Sequence, residues 1–162
     1  MRPIDLRVLE ALPRHLEPVA ALQRLCFPDP WGLTRLRAMA SDPTISLLAA
    51  EDAGGRLAGY AVIRTVLDEG ELYQIATAPG RRRRGLGTAL LSEVIRRGKV
   101  RGVTALYLEV RAGNHAALSL YRLHGFQVTG RRPGYYSAPR EDALLMTLRL
   151  QSPGSPAEKR GM

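Results

Sequence analysis

One segment constrains the fold of this chain more than any other. An apolar run, Leu72 to Ala78, meets the stretch Arg81-Arg82-Arg83-Arg84-Gly85-Leu86-Gly87 and then an amphipathic segment, Thr88 to Arg101. Leu86, Leu90, Leu91, Val94 and Ile95 recur there at helical spacing, so the order reads strand, glycine loop, helix. Such a unit aims backbone N–H groups and a helix N-terminus at one spot, where proteins hold phosphates. The neighbouring arginines add positive charge, so a small polyanionic ligand is the first expectation.

Two common phosphate loops fail on this segment. A Walker loop needs lysine and then serine or threonine after its second glycine, but Leu86 and Gly87 follow Gly85. A dinucleotide fingerprint needs a third glycine where Leu90 stands. What remains is Arg82-x-x-Gly85-x-Gly87. The plain alternative is a tight turn beside a solvated arginine run.

The length of 162 residues suits one domain with a real core, and 45% hydrophobic residues favour a globular chain. No apolar stretch is long enough to span a bilayer, and the N-terminus lacks a signal-peptide core. The single cysteine, Cys26, excludes an internal disulfide and fits a cytoplasmic protein. A formal charge of +9 favours acidic partners: nucleotide-like cofactors, RNA or RNA-associated assemblies. Lysine occurs only at Lys99 and Lys159, and arginine, which grips phosphate with two prongs, supplies the rest. Genomic base composition or a hot habitat explains the same excess. The histidines His15, His115 and His124 show no metal spacing and read as surface or helix-end residues, so no metal is expected.

Periodicity and breakers predict strands over Ile4–Leu9, Ile45–Ala50, Leu57–Leu67, Glu71–Ala78, Val103–Val110, Phe126–Gly130 and Ala143–Leu150. Helices are expected over Leu16–Cys26, Leu33–Ala40, Thr88–Arg101 and Ala116–His124. Asp52-Ala53-Gly54-Gly55-Arg56 reads as a hairpin turn and Asn114 as an N-cap. Gly102 ends a helix in the left-handed position, and Arg131–Asp142 joins the last two strands. The layout is β-α-α-β-β-β-α-β-α-β-β, an α/β (α+β) chain with helices packed on a mixed sheet. Residues 1–150 form one domain in this reading, and Gln151–Met162 a mobile tail.

These motifs resemble a known family. Arg82-x-x-Gly85-x-Gly87 after a strand, Leu106-Tyr107-Leu108-Glu109-Val110, and Asn114 followed by Ala117 to Phe126 look like the GNAT superfamily of acetyl-coenzyme A-dependent N-acetyltransferases. The resemblance covers roughly Ile45 to Leu150. It is greatest to RimI-type enzymes, which acetylate the N-terminal alanine of a small-subunit ribosomal protein. The closer cues are Val66-Leu67-Asp68-Glu69, Leu108 to Asn114, Arg132-x-x-Tyr135-Tyr136 and Arg140-Glu141-Asp142-Ala143.

The resemblance implies a central, mostly antiparallel sheet splayed at the cofactor site. The acyl arm of acetyl-coenzyme A would lie beside Ile75, Ala76 and Thr77. Its pyrophosphate would sit on Arg82, Arg83, Arg84, Gly85, Leu86, Gly87 and Thr88, and Asn114 would touch it too. Thr88 departs from the pattern, where arginine or lysine is common. Glu109 would be the general base and Tyr121 the general acid, with Asp68, Glu69, Tyr135 and Tyr136 flanking the acceptor groove. The expected partner is a protein N-terminus, with that of a ribosomal protein favoured. The chain would act as a monomer or weak homodimer, without direct membrane or nucleic-acid binding.

The chemistry agrees with those residue types. An α-amine arrives mostly as ammonium, since its pKa is roughly 8, and needs a base before it attacks a thioester. A neutral phenol can protonate the departing thiolate. The plain alternatives are a strand-end glutamate paired with Arg111 or another arginine, and a core tyrosine. Cys26 reads as a buried structural thiol rather than an acyl-enzyme nucleophile. Two other functions stay open: the same fold acting on lysine side chains, polyamines or small amines, and a non-catalytic RNA-associated or cofactor-sensing module.

Overall fold

The computed structural model describes residues 6–81 and 85–150. The expected contacts of Arg82, Arg83 and Arg84, the start of the first strand and the tail from Gln151 lie outside the described residues. The elements run β1 (Arg7–Glu10), α1 (Pro13–Cys26), α2 (Gly32–Ala40), β2 (Ile45–Glu51), β3 (Leu57–Val66) and β4 (Glu69–Thr77). A 3-10 turn (Pro79–Arg81) and α3 (Leu86–Val100) follow, then β5 (Ala105–Arg111), α4 (His115–Leu123), β6 (Gln127–Tyr136) and β7 (Glu141–Arg149). The sheet order is β1-β2-β3-β4-β5-β7-β6. The described chain divides into two compact units, one up to Arg64 with Leu72–Val94, the other Thr65–Glu71 with the residues from Ile95 on.

In the first unit, α1 begins at Pro13, three residues before the expected Leu16. Proline at the first helical position has no N–H to lose and a preset φ, so the helix starts there. Leu16, Val19, Ala20 and Leu22 recur at three- and four-residue spacing and are buried with Leu36, Met39, Leu47, Tyr60, Val62 and Ala76. Each large apolar side chain buried this way contributes about 1.5–3 kcal/mol before entropy is charged. β3 is buried without a break from Ala58 to Ile63, the pattern of a strand covered on both faces. β2 and β3 pair antiparallel from Ile45 opposite Arg64. Their hairpin turn falls where expected. Asp52 Oδ1 accepts N–H bonds from Gly54 and Arg56, both 2.9 Å, and Gly55 takes a φ of +77°.

His15 is a helix-end residue, one of the two expected alternatives, as the third residue of α1. It is buried, not a surface residue. Its Nδ1 accepts the Leu12 N–H at 2.8 Å, which leaves Nε2 to donate to Glu51, and Arg14 pairs with the same carboxylate. These bonds hold the Glu51 carboxyl below its ordinary pKa, first through His15 and then through Arg14.

In the second unit, β5 and β7 pair antiparallel, with Glu109 opposite Leu145 and Arg111 opposite Ala143. Along β5, Leu106, Leu108 and Val110 are buried, while Tyr107, Glu109 and Arg111 are only partly covered. Alternation of the pleat thus sets Glu109 and Arg111 on one face. β6 continues to Tyr136, beyond the expected Gly130, so Arg131–Tyr136 is strand rather than connection. Pro133 reads as a breaker in sequence, yet β6 ends the sheet order, and an edge strand tolerates a missing N–H. The irregularity is taken up between Arg132 and Tyr136, where Gly134 has a φ of +60°. Asp142 secures it, accepting from Arg131 Nε at 2.6 Å and from the Gly134 N–H at 2.8 Å.

Candidate active site

The second unit gathers a polar cluster around Glu109. Arg132 Nη2 lies 3.5 Å from Glu109 Oε1, and the Glu109 side chain is 26% exposed. The arginine partner left open by the sequence is therefore Arg132 of β6, not Arg111. Arg111 pairs with Glu141 at 3.3 Å and lies over the Tyr136 ring, 4.2 Å from its centre. Glu141 also accepts the Gly113 N–H at 2.6 Å, which ties the loop before α4 to the start of β7. Arg132 lies over the Tyr135 ring at 5.5 Å, and the two tyrosine rings meet edge to face at 5.0 Å.

The three phenols are linked electrostatically. The negative charge of Glu109, and a hydrogen bond to it, raise the Tyr135 hydroxyl above its usual pKa. Burial raises Tyr136, and the Glu109 charge adds to it. Burial raises Tyr121 as well, with Tyr136 a smaller contribution. Tyr121 is buried on α4 and packs its ring against Phe126 at 5.7 Å. Glu109, Tyr135 and Tyr136 are thus brought together, and Tyr121 is coupled to Tyr136. This set holds a carboxylate open to solvent beside phenols that keep their protons at neutral pH, the pieces an acid–base reaction needs.

Asp68 falls elsewhere. Its carbonyl accepts the Thr104 N–H at 2.7 Å, and its carboxylate the Thr104 hydroxyl at 3.2 Å. Thr104 precedes Glu109 by five residues of extended chain, roughly 16 Å at ~3.3 Å per residue. Asp68, and Glu69 beside it at the start of β4, therefore stand at the opposite end of β5 from the Arg111 loop.

Among the cofactor candidates, Ile75, Ala76 and Thr77 are the last three residues of β4. A Cβ at Gly59 would meet the Ala76 carbonyl at 2.7 Å and Leu90 at 3.0 Å, so glycine is what lets these backbones approach. Cys26 is half-buried with its Sγ 3.8 Å from the Thr77 carbonyl. Gly85 takes a φ of +75° with open space where a Cβ would stand, and α3 begins at Leu86, two residues before the expected Thr88. The N–H groups of Leu86, Gly87 and Thr88 precede the first intrahelical bond, from Ala89 to the Gly85 carbonyl at 2.9 Å. Bare backbone and first-turn donors fit a diphosphate. Asn114 caps α4, its Oδ1 accepting the Ala117 N–H at 3.2 Å. Among the described residues no group of histidine, cysteine and carboxylates could hold a metal.

The fold defines a class, an α/β chain on a mostly antiparallel seven-stranded sheet with a glycine turn at the head of α3. The chain belongs to the acetyltransferase (GNAT) family, whose model matches residues 16–126. Among curated relatives, the ribosomal protein bS18-alanine N-acetyltransferase of Escherichia coli strain K12 is 46% identical over 96 residues. That match covers 58% of this chain and 65% of the relative's length. The Haemophilus influenzae protein of the same name is 36% identical over 124 residues, 75% of this chain and 83% of that protein. The crystal structure of the E. coli S18-alanine N-acetyltransferase superposes with a TM-score of 0.84 at 31% identity, covering 94% of this chain and 98% of that one. Arabidopsis thaliana NAA60, solved in complex with acetyl-CoA, shares the fold at a TM-score of 0.78 and 21% identity. The mixed, mostly antiparallel sheet expected from the resemblance is therefore met.

Proposed function

We propose that this chain is an acetyl-coenzyme A-dependent Nα-acetyltransferase of protein N-termini, with the N-terminal alanine of a small-subunit ribosomal protein as its favoured acceptor. The observation that carries the reading is Glu109, a partly exposed carboxylate paired with Arg132 and electrostatically linked to the Tyr135 hydroxyl, in a chain similar to alanine N-acetyltransferases. Residues 1–150 act as one catalytic domain, in the cytoplasm.

Acetyl-coenzyme A supplies an activated acyl thioester. Ile75, Ala76 and Thr77 offer strand backbone to its arm, and the Gly85–Thr88 turn offers N–H donors to its diphosphate, with Arg82, Arg83 and Arg84 adding charge. Asn114 contributes while capping α4. Glu109 takes a proton from the arriving ammonium, directly or through water, and so uncovers the lone pair that attacks. Tyr121, held neutral by burial, gives its proton to the departing thiolate. Tyr135 and Tyr136 wall the acceptor's approach; Asp68 and Glu69 act at longer range as acidic attraction for a cationic acceptor. Transfer is direct, in a ternary complex, with no acyl-enzyme on Cys26.

The test is mass spectrometry of purified protein with acetyl-coenzyme A and four acceptors: an alanine-initiated peptide, its N-terminally blocked form, a lysine-bearing peptide and spermidine. Acetylation of the free alanine terminus alone supports the reading. Transfer to lysine or spermidine instead replaces it with a side-chain or small-amine enzyme, and no thiol release with any acceptor overturns it.

A further inference from the structure

One carboxylate of the second unit has no role in the proposed proton transfers, yet it connects two parts of the acid–base cluster. Glu141 opens β7 and lies opposite Tyr136 in the pairing with β6. Its Oε1 accepts from Arg111 Nη1 at 3.3 Å, and its Oε2 accepts the Gly113 N–H at 2.6 Å. Each oxygen thus serves a different donor. Arg111 Nη1 also lies 3.4 Å from the Pro139 carbonyl. A Cβ at Gly113 would stand 2.5 Å from Glu141 Oε2, so glycine leaves room for the carboxylate to close on this loop.

The two donors lead to different places. Arg111 holds its guanidinium over the Tyr136 ring, 4.2 Å from the centre, and Tyr136 meets Tyr135 beside Glu109. Arg111 and Glu109 share one face of β5. Gly113 leads instead to Asn114, the cap of α4, and α4 carries Tyr121. Backbone bonding to β7 reaches as far as Ala112, whose N–H donates to the Asp142 carbonyl at 3.0 Å. One residue further on, at Gly113, the Glu141 side chain takes its place. A carboxylate suits this post because both partners are donors. Glutamine would offer one acceptor oxygen and turn N–H groups toward the other donor. Bonds to an ionised acceptor are also the stronger kind.

We infer that Glu141 is a positioning residue for the acid–base reaction: one carboxylate sets the Tyr136 wall through Arg111 and the head of the Tyr121 helix through Gly113. This rests on the proposed function for its kinetic consequences alone. The clamp itself consists of two hydrogen bonds and can be read without turnover. Gly113 is exposed, so protection of its amide from exchange reports the Glu141 carboxylate.

Three variants take the clamp apart. Arg111→Met frees the wall and keeps the bond at position 113. Gly113→Ala pushes the carboxylate off the loop and keeps the Arg111 pair. Glu141→Leu removes both. Amide exchange at position 113, relative to its intrinsic rate, is followed by NMR without ligand. Steady-state kinetics are measured with an alanine-initiated peptide and acetyl-coenzyme A. Exchange should quicken about tenfold in Gly113→Ala and Glu141→Leu, as expected for a lost hydrogen bond, and stay at the parent rate in Arg111→Met. Peptide KM should rise about tenfold in Arg111→Met, with kcat near the parent value. In Gly113→Ala kcat should fall about tenfold with peptide KM near the parent value, since a small misplacement of a reacting group is costly. Glu141→Leu should show both changes. A general loss of stability would not divide KM from kcat in this way. Parent-like exchange in Glu141→Leu overturns the clamp. Faster exchange with parent-like kinetics, or KM and kcat moving alike in all three variants, overturns the positioning role. If the parent acetylates no peptide, the proposed function fails and the positioning role with it, while exchange still decides the clamp. Should Glu141→Leu not fold, exchange in Gly113→Ala decides the clamp and the two single-arm variants decide the role.

Discussion

At the scale of single residues, the acid–base roles are the part of the reading most open to direct measurement. Glu109→Gln removes the proton acceptor and nearly preserves shape, so kcat/KM for an alanine-initiated peptide should fall about 10²–10⁴-fold. Tyr121→Phe should lower kcat by about 10²-fold, the low end of the range for a lost proton donor. Both variants should bind coenzyme A like the parent in calorimetry, and wild-type turnover by either one would remove that residue from its role. Residue identity was readable at these positions because the Leu108-Glu109-Val110 and Ala117–Phe126 motifs stand in linear order. The company they keep was not. Arg132 reaches Glu109 from β6, which requires β7 between β5 and β6, and strand order is not written in local periodicity. The bonds of Asp68 to Thr104, which fix it at the other end of β5, were not legible either.

At the scale of elements, two contacts make predictions. Gly59 of β3 lies against the Ala76 carbonyl of β4 and the side chains of Leu90 and Leu86 of α3. Gly59→Ala should destabilise the fold by about 1–3 kcal/mol, the usual cost of overpacking, since a backbone carbonyl cannot swing aside as a side-chain end can. Denaturant titration measures it, and unchanged stability would mean that β3 and β4 lie further apart than described. The second contact joins α1 to β2 through His15, Arg14 and Glu51. Because the folded pKa of Glu51 is depressed, its ionised form adds stability above the ordinary glutamate pKa, and that stability is lost as pH falls through the lowered value. Glu51→Gln should therefore melt below the parent at neutral pH, with the gap closing below about pH 4.5, the ordinary value for glutamate. A gap that persists in strong acid would assign the effect to packing rather than charge. The sequence offered α1 and β2 separately but not this link. His15 shares its helical face with Val19 and Leu22, which marks that face as apolar but does not say which strand supplies its partner.

At the scale of the whole molecule, the formal charge of +9 should appear as salt-sensitive affinity for a polyanion. Coenzyme A should raise Tm, with about 2.7 kcal/mol of stabilisation at a hundredfold excess over Kd. The gain should shrink as sodium chloride rises from low to near-molar concentration. A Tm indifferent to coenzyme A at every ionic strength would overturn the assigned ligand. Composition set the sign of that expectation, and the placement of Gly85 and Gly87 at the head of α3 set its target.

The linear chain by itself determined the alternation of strands and helices, the glycine turn that opens α3, the apolar faces and the family, because each follows from spacing within a dozen residues or so. Tertiary structure alone decided that Arg131–Tyr136 is strand, that His15 is buried on Glu51, that Arg132 and not Arg111 faces Glu109, and that Glu141 joins Arg111 to Gly113. Those facts depend on which strands and helices become neighbours. That choice comes from burying all apolar faces at once, and no local stretch of sequence encodes the outcome.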